Sequence, residues 1–154
     1  MNYHIAVALT SCLLAGVFGQ FSADWGMLGW IGFASWACFF AAGAGIEGAK
    51  KTLITTLWGM LIGCGVVYVA STTGMSNPML LPLTAGVFIM FACGMIPFLS
   101  FVPGAFIGCA AFLGSGALLL ETTVSLLVGI TLGFIAERAA LVLVNKTSKS
   151  SSVQ

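Results

Sequence analysis

The side chains able to do chemistry in this chain are few and scattered. Five cysteines stand at Cys12, Cys38, Cys64, Cys93 and Cys109, four carboxylates at Asp24, Glu47, Glu121 and Glu137, and one imidazole at His4. Nucleophilic hydrolysis needs a nucleophile, a base and an orienting group together, and a metal needs ligands at close spacing. No Ser-His-Asp set is legible, no two cysteines have metal or redox spacing, no carboxylates are paired, and no glycine-rich phosphate loop occurs. The expectation is a protein that is not an enzyme and holds neither cofactor nor metal. The cysteines all fall in apolar runs, which reads as reduced, buried thiols.

What is left is neutral and sits inside long apolar stretches: Ser35, Trp36, Thr84, Ser125 and Thr131. The composition says what those stretches are. Of 154 residues 60% are hydrophobic and 6% charged, against about 25% charged in soluble domains. A chain this short cannot bury so much apolar surface in a water-soluble fold, so lipid must solvate it. Five Lys and Arg residues with no basic face exclude nucleic acid as a partner.

A bilayer core of about 30 Å needs about 20 apolar residues per helix. Six segments qualify, approximately 3–20, 25–44, 52–71, 78–97, 101–120 and 122–144. The breaks fall at 21–24, 45–51, 72–77 and 98–100, with a tight turn at Glu121 and a disordered tail at 146–154. The start of the chain lacks the positive region and cleavage pattern of a secretory signal, so the first run is kept as a permanent span. Six spans put Lys50, Lys51, Arg138, Lys146 and Lys149 on one side and Asp24 and Glu121 on the other, which places both termini in the cytoplasm.

The halves resemble each other. At an offset of 71, Ala34, Cys38, Gly43 and Gly45 meet Ala105, Cys109, Gly114 and Gly116; at 70, Thr52, Gly59 and Gly63 meet Thr122, Gly129 and Gly133. Three spans per half is an odd number, so repeats at about 3–71 and 78–144 must be inverted within one membrane domain, 1–145. Chance matching is the competing reading, because Gly and Ala are abundant. The fold class expected is all-α, with six transmembrane helices in two inverted repeats.

Gly59 and Gly63, Gly129 and Gly133, and Gly104 and Gly108 are small-xxx-small pairs, read as helix packing within a subunit in preference to a dimer seam. Gly43-Ala-Gly45 and Gly114-Ser-Gly116 are paired weak points, either broken helices beside a solute path or simply packing sites and helix ends. Trp25 and Trp30 fit an interfacial belt; Trp36 lies deeper and its indole N–H needs a partner. Glu137 and Arg138, near the end of the last span, read as residues snorkelling to the interface.

The segment Leu99-Ser-Phe-Val-Pro-Gly-Ala-Phe-Ile-Gly-Cys-Ala-Ala-Phe-Leu-Gly-Ser-Gly116, with Leu28-Gly-Trp-Ile-Gly-Phe33 and the six-span length, resembles the YcdZ-like family of bacterial inner-membrane proteins. The resemblance implies a location in that membrane. It implies no activity and carries over no functional residue.

From the residues, the favoured expectation is a small channel or facilitator that passes an uncharged or weakly polar solute without coupling, as a homo-oligomer. Its path would run by Ser35, Trp36, Gly43, Gly45, Pro103, Gly104, Gly114 and Gly116. The alternative is a non-transporting membrane scaffold or assembly partner. A continuous polar-lined path would favour the first, a dry and fully packed interior the second.

Overall fold

The computed structural model describes residues 2–74 and 76–151, with side chains described as far as residue 147. Six α-helices follow one another: α1 (Tyr3–Phe21), α2 (Gly29–Ala41), α3 (Gly45–Thr72), α4 (Leu80–Cys93), α5 (Val102–Gly114) and α6 (Leu119–Ser151), with a 3-10 turn at Pro97–Leu99 before α5. No strand occurs among the described residues.

Three of these helices, α1, α3 and α6 to Thr147, are long and apolar enough to cross a membrane. The other three have 13, 14 and 13 residues, about 20 Å each at 1.5 Å per residue. They are shorter than the spans the sequence reading assigns. One reason is visible at α2: its start lies level with Ser125, whose Oγ accepts the N–H of Leu28 at 2.8 Å. The backbone ahead of it is paired locally, Met27 N–H donating to Ser22 and Trp25 N–H to Phe21. Irregular backbone of this kind is tolerated at depth where protein satisfies it.

Several expected boundaries move. The turn placed at Glu121 lies instead at 115–118, and Glu121 is inside α6. The reversal is made by Gly116 and Ala117, both at positive φ, and is closed when Leu118 N–H and Thr122 Oγ1 donate to Ser115 Oγ. The break placed at 45–51 contracts to 42–44, so Lys50 and Lys51 belong to α3. Gly43, Ala44 and Gly45 all adopt positive φ there, which turns the chain within three residues. α6 runs on through Lys146 to Ser151, where the sequence reading begins a disordered tail; 152–154 lie outside the described residues.

The core is built by crossing over. α3 packs most extensively on α5, and α2 on α6, while α1 lies along α6 and α4 along α3. Glycine makes both main seams close. A methyl group on Gly59 would meet the carbonyl of Ala105, and one on Gly108 the carbonyl of Thr56. In the other seam a methyl on Gly129 would meet the carbonyl of Gly32, and one on Gly133 the rings of Trp36 and Phe39. α3 and α6 run antiparallel, since Glu137 meets Gly45 at one end and Thr123 meets Met60 at the other.

The two tight turns match bond for bond. After α2, Ala42, Gly43 and Ala44 donate to Cys38, Phe40 and Phe39; after α5, Ser115, Gly116 and Ala117 donate to Ala111, Leu113 and Phe112. The left-handed pair is Gly43-Ala44 in one and Gly116-Ala117 in the other. This geometric register lies two positions beyond the 71-residue offset read from residue identities.

Candidate functional site

The polar side chains of the interior are mostly hydroxyls, divided between the α2–α6 and α3–α5 seams. Ser35, Thr52, Thr55, Thr56, Thr122 and Ser125 are each 0% exposed. On an apolar helix a Ser or Thr hydroxyl finds the carbonyl three or four residues back, because a buried polar group without a partner is costly. Thr56 Oγ1 accordingly donates to Thr52 at 2.7 Å, Thr55 Oγ1 to Lys51 at 2.7 Å, and Ser125 Oγ to Glu121 at 2.6 Å. Ser35 Oγ donates to Gly32 in its own helix at 3.1 Å and also crosses the α2–α6 seam to the carbonyl of Leu126 at 2.9 Å. Thr10 Oγ1 does the same from α1, reaching Ala136 at 2.9 Å.

Buried polar atoms also remain without a partner: Thr52 Oγ1, Trp58 Nε1 and Ser11 Oγ. Both Thr52 and Trp58 are on α3, which touches every other helix except α1 closely.

The one buried carboxylate among the described residues is Glu137, 8% exposed on α6. It does not snorkel. Its Oε2 accepts the N–H of Gly45 at 3.0 Å, at the head of α3, where the preceding Ala44 provides no side-chain cap. Arg138 is the residue that faces outward, its guanidinium 4.8 Å from the centre of the Phe134 ring.

The eight residues assigned to a solute path fall in four places. Ser35 and Trp36 are sealed in the α2–α6 seam, with the Trp36 ring stacked on Phe33 at 6.2 Å. Gly43 and Gly45 form the α2–α3 turn beside Glu137. Pro103 and Gly104 open α5, where Gly104 abuts the hydroxyl of Thr55. Gly114 lies against Trp30, and Gly116 makes the α5–α6 turn. The two turns sit at opposite ends of the α3–α6 pair. The open grooves of about 410, 370 and 590 Å³ lie on the outside of the bundle and are lined by other residues.

The sequence reading names Thr52 and Thr122 only as matched positions of the two halves and does not single out Thr55 and Thr56. The i, i+3 and i+4 spacing of Thr52, Thr55 and Thr56 was available as a signal, since it puts them on one face of α3. The partner of Glu137 had none, being 92 residues away.

Long apolar helices, interior hydroxyls bonded mostly to backbone carbonyls and a surface rich in exposed Leu, Phe and Ile define an integral membrane protein. It belongs to the family described as Protein of unknown function (DUF1097), whose model matches residues 6–141. The chain is 30% identical to Inner membrane protein YcdZ of Escherichia coli (strain K12), over 98% of this chain and 94% of that protein. It is also 30% identical to Inner membrane protein YcdZ of Salmonella typhimurium, over 99% and 96%, and 29% identical to Uncharacterized protein YahC of Escherichia coli (strain K12), over 97% and 98%. No solved structure matches it.

Proposed function

We infer that the protein is a non-transporting, non-enzymatic scaffold or assembly partner of the bacterial inner membrane. One observation carries the reading: the polar residues nominated for a path are closed into helix seams, with Ser35 and Trp36 0% and 5% exposed. A closely packed interior suits a protein whose work is done on its outer surface. The location follows the names of its relatives. In this reading the chain crosses the membrane six times with both termini in the cytoplasm, as two inverted three-helix halves. Support comes from the crossed packing, the matched turns and the one-sided basic residues. The short α2, α4 and α5 complete their crossings with the paired irregular segments that flank them. Glycine-lined outer faces such as Gly16 and Gly65, which have open space around them, suit a homo-oligomer.

The test is swelling of liposomes that hold the purified protein, with a panel of small neutral solutes. The expected rate is that of empty liposomes, and in-membrane cross-linking should trap an oligomer. Solute flux above the empty-liposome rate overturns the scaffold.

A second reading, the passive facilitator of a small uncharged solute, is favoured by the unpartnered Thr52 Oγ1 and Trp58 Nε1, polar atoms that a passing water or solute would satisfy. It requires flux with no ion gradient imposed, retained in Glu137→Gln and lost in Gly104→Trp.

A further inference from the structure

We propose that the groove between the first turns of α3 and the middle of the apolar part of α6 is a binding site for one acidic phospholipid, its acyl chain in the groove and its phosphate between Lys50 and Arg138. The groove, about 370 Å³, is walled by Ile46, Ala49, Leu53, Ile130 and Phe134, with Lys50 on its lining. That volume is within the range of small-molecule sites, and its walls are hydrocarbon, which suits a chain and excludes a free anion as the sole occupant.

Charge decides which lipid. The groove ends where α3 begins, because Glu137 beside Phe134 meets Gly45 beside Ile46. At that end stand two cations. Arg138 lies over the ring of Phe134, itself a wall of the groove, and among the described residues no carboxylate is within ion-pair distance of it. Lys50 pairs with Glu47 at 3.0 Å, but both side chains are well exposed, at 62% and 76%, so the pair is weak and open to exchange. Glu137, the acid that would repel a phosphate, is buried and committed to Gly45 N–H. The guanidinium offers a planar fork to phosphate oxygens while the Lys50 stem lies along the apolar wall. A zwitterionic head brings a third cation to this mouth and gains less.

Native mass spectrometry of the full chain in mild detergent, titrated with phosphatidylglycerol or phosphatidylcholine of identical chains, tests the site. One phosphatidylglycerol should be retained in preference to phosphatidylcholine. K50Q and R138Q should each lower its retention roughly five-fold, the factor equivalent to about 1 kcal/mol per basic residue at a lipid surface. R138K should keep part of the preference, and A49F should expel both lipids by filling the groove. Lys146→Gln, on α6 but off the groove, should change nothing. Equal retention of the two lipids, or an equal loss in Lys146→Gln and R138Q, overturns the proposal. Should R138Q fail to fold, R138K and K50Q decide the outcome by the same preference ratio.

Discussion

Glu137 on α6 and Gly45 at the head of α3 are joined by a single hydrogen bond of 3.0 Å, although 92 residues separate them. The carboxylate supplies from another helix the N-terminal cap that Ala44 cannot. Glu137→Gln keeps an acceptor and loses the charge; Glu137→Ala leaves the N–H bare. Losses of about 1 and about 2 kcal/mol are expected, on the scale of hydrogen bonds to charged groups. Unfolding in detergent measures both, and amide exchange at 45–48 should rise in the same order. An alanine variant as stable as the parent would remove the cap from the account.

Gly59 and Gly65 lie on the same helix in opposite environments. A methyl group on Gly59 strikes the backbone of Ala105, which cannot step aside without moving α5, whereas Gly65 has nothing within 4 Å. Gly59→Ala should cost about 1–3 kcal/mol by overpacking, and Gly65→Ala should gain up to about 1 kcal/mol from helix propensity. Melting temperatures of the pair, taken in one detergent, should move apart.

Ser125 and Ser35 are both 0% exposed, yet they are not equivalent. Ser125 accepts the N–H of Leu28 at the start of α2, while Ser35 only donates, to carbonyls that already serve their own helices. Ser125→Ala should cost about 1–3 kcal/mol through the orphaned N–H and Ser35→Ala about 1 kcal/mol or less. The reverse order in chemical denaturation would mean that Leu28 finds another acceptor.

Ala44 holds φ at 55° with ψ at −167°, a region that glycine adopts without strain and other residues occupy at about 1–3 kcal/mol. Ala44→Gly is therefore expected to raise stability by about 1 kcal/mol, read as a higher melting temperature. A fall would show that the methyl group repays its strain by packing.

Reporter fusions test the topology under which all five basic residues share one side. Fusions at Gln154 and near Lys50 should report the cytoplasm, and a tag near Ser76 the outside. A C-terminus on the outside would end both the six-span arrangement and the inverted halves.

The long helices α1, α3 and α6 were legible in the sequence because an unbroken apolar run of their length has few alternatives. The ends of α2, α4 and α5 were not. In a chain that is apolar on every side, hydropathy does not change where a helix starts, and what starts α2 is the hydroxyl of Ser125 far along the chain. Glu121 looked like a turn because it is charged; the turn is made by Gly116 and by Ala117, a residue type that gives no warning of φ 66°. The glycines of the seams could be recognised as packing residues, but not paired, since residue identities put the halves in a register that the turn hydrogen bonds do not share. Of the interior hydroxyls Ser35 and Ser125 were legible as mid-span polar groups, whereas Thr55 and Thr56 went unread because Thr is neither apolar nor charged enough to stand out.

The crossed packing sets the timetable of synthesis. α2 and α3 leave the ribosome long before α5 and α6, the helices they chiefly pack against. Contacts of such long sequence separation form slowly, since loop closure precedes any reward. Gly59 and Gly63 must rest against lipid or an insertase until α5 enters the bilayer, and the face of α2 around Gly32 until α6 does. A nascent chain stalled after Thr72 should therefore be membrane-inserted yet unassembled, with Cys38, buried in the complete protein, open to a membrane-permeant thiol reagent.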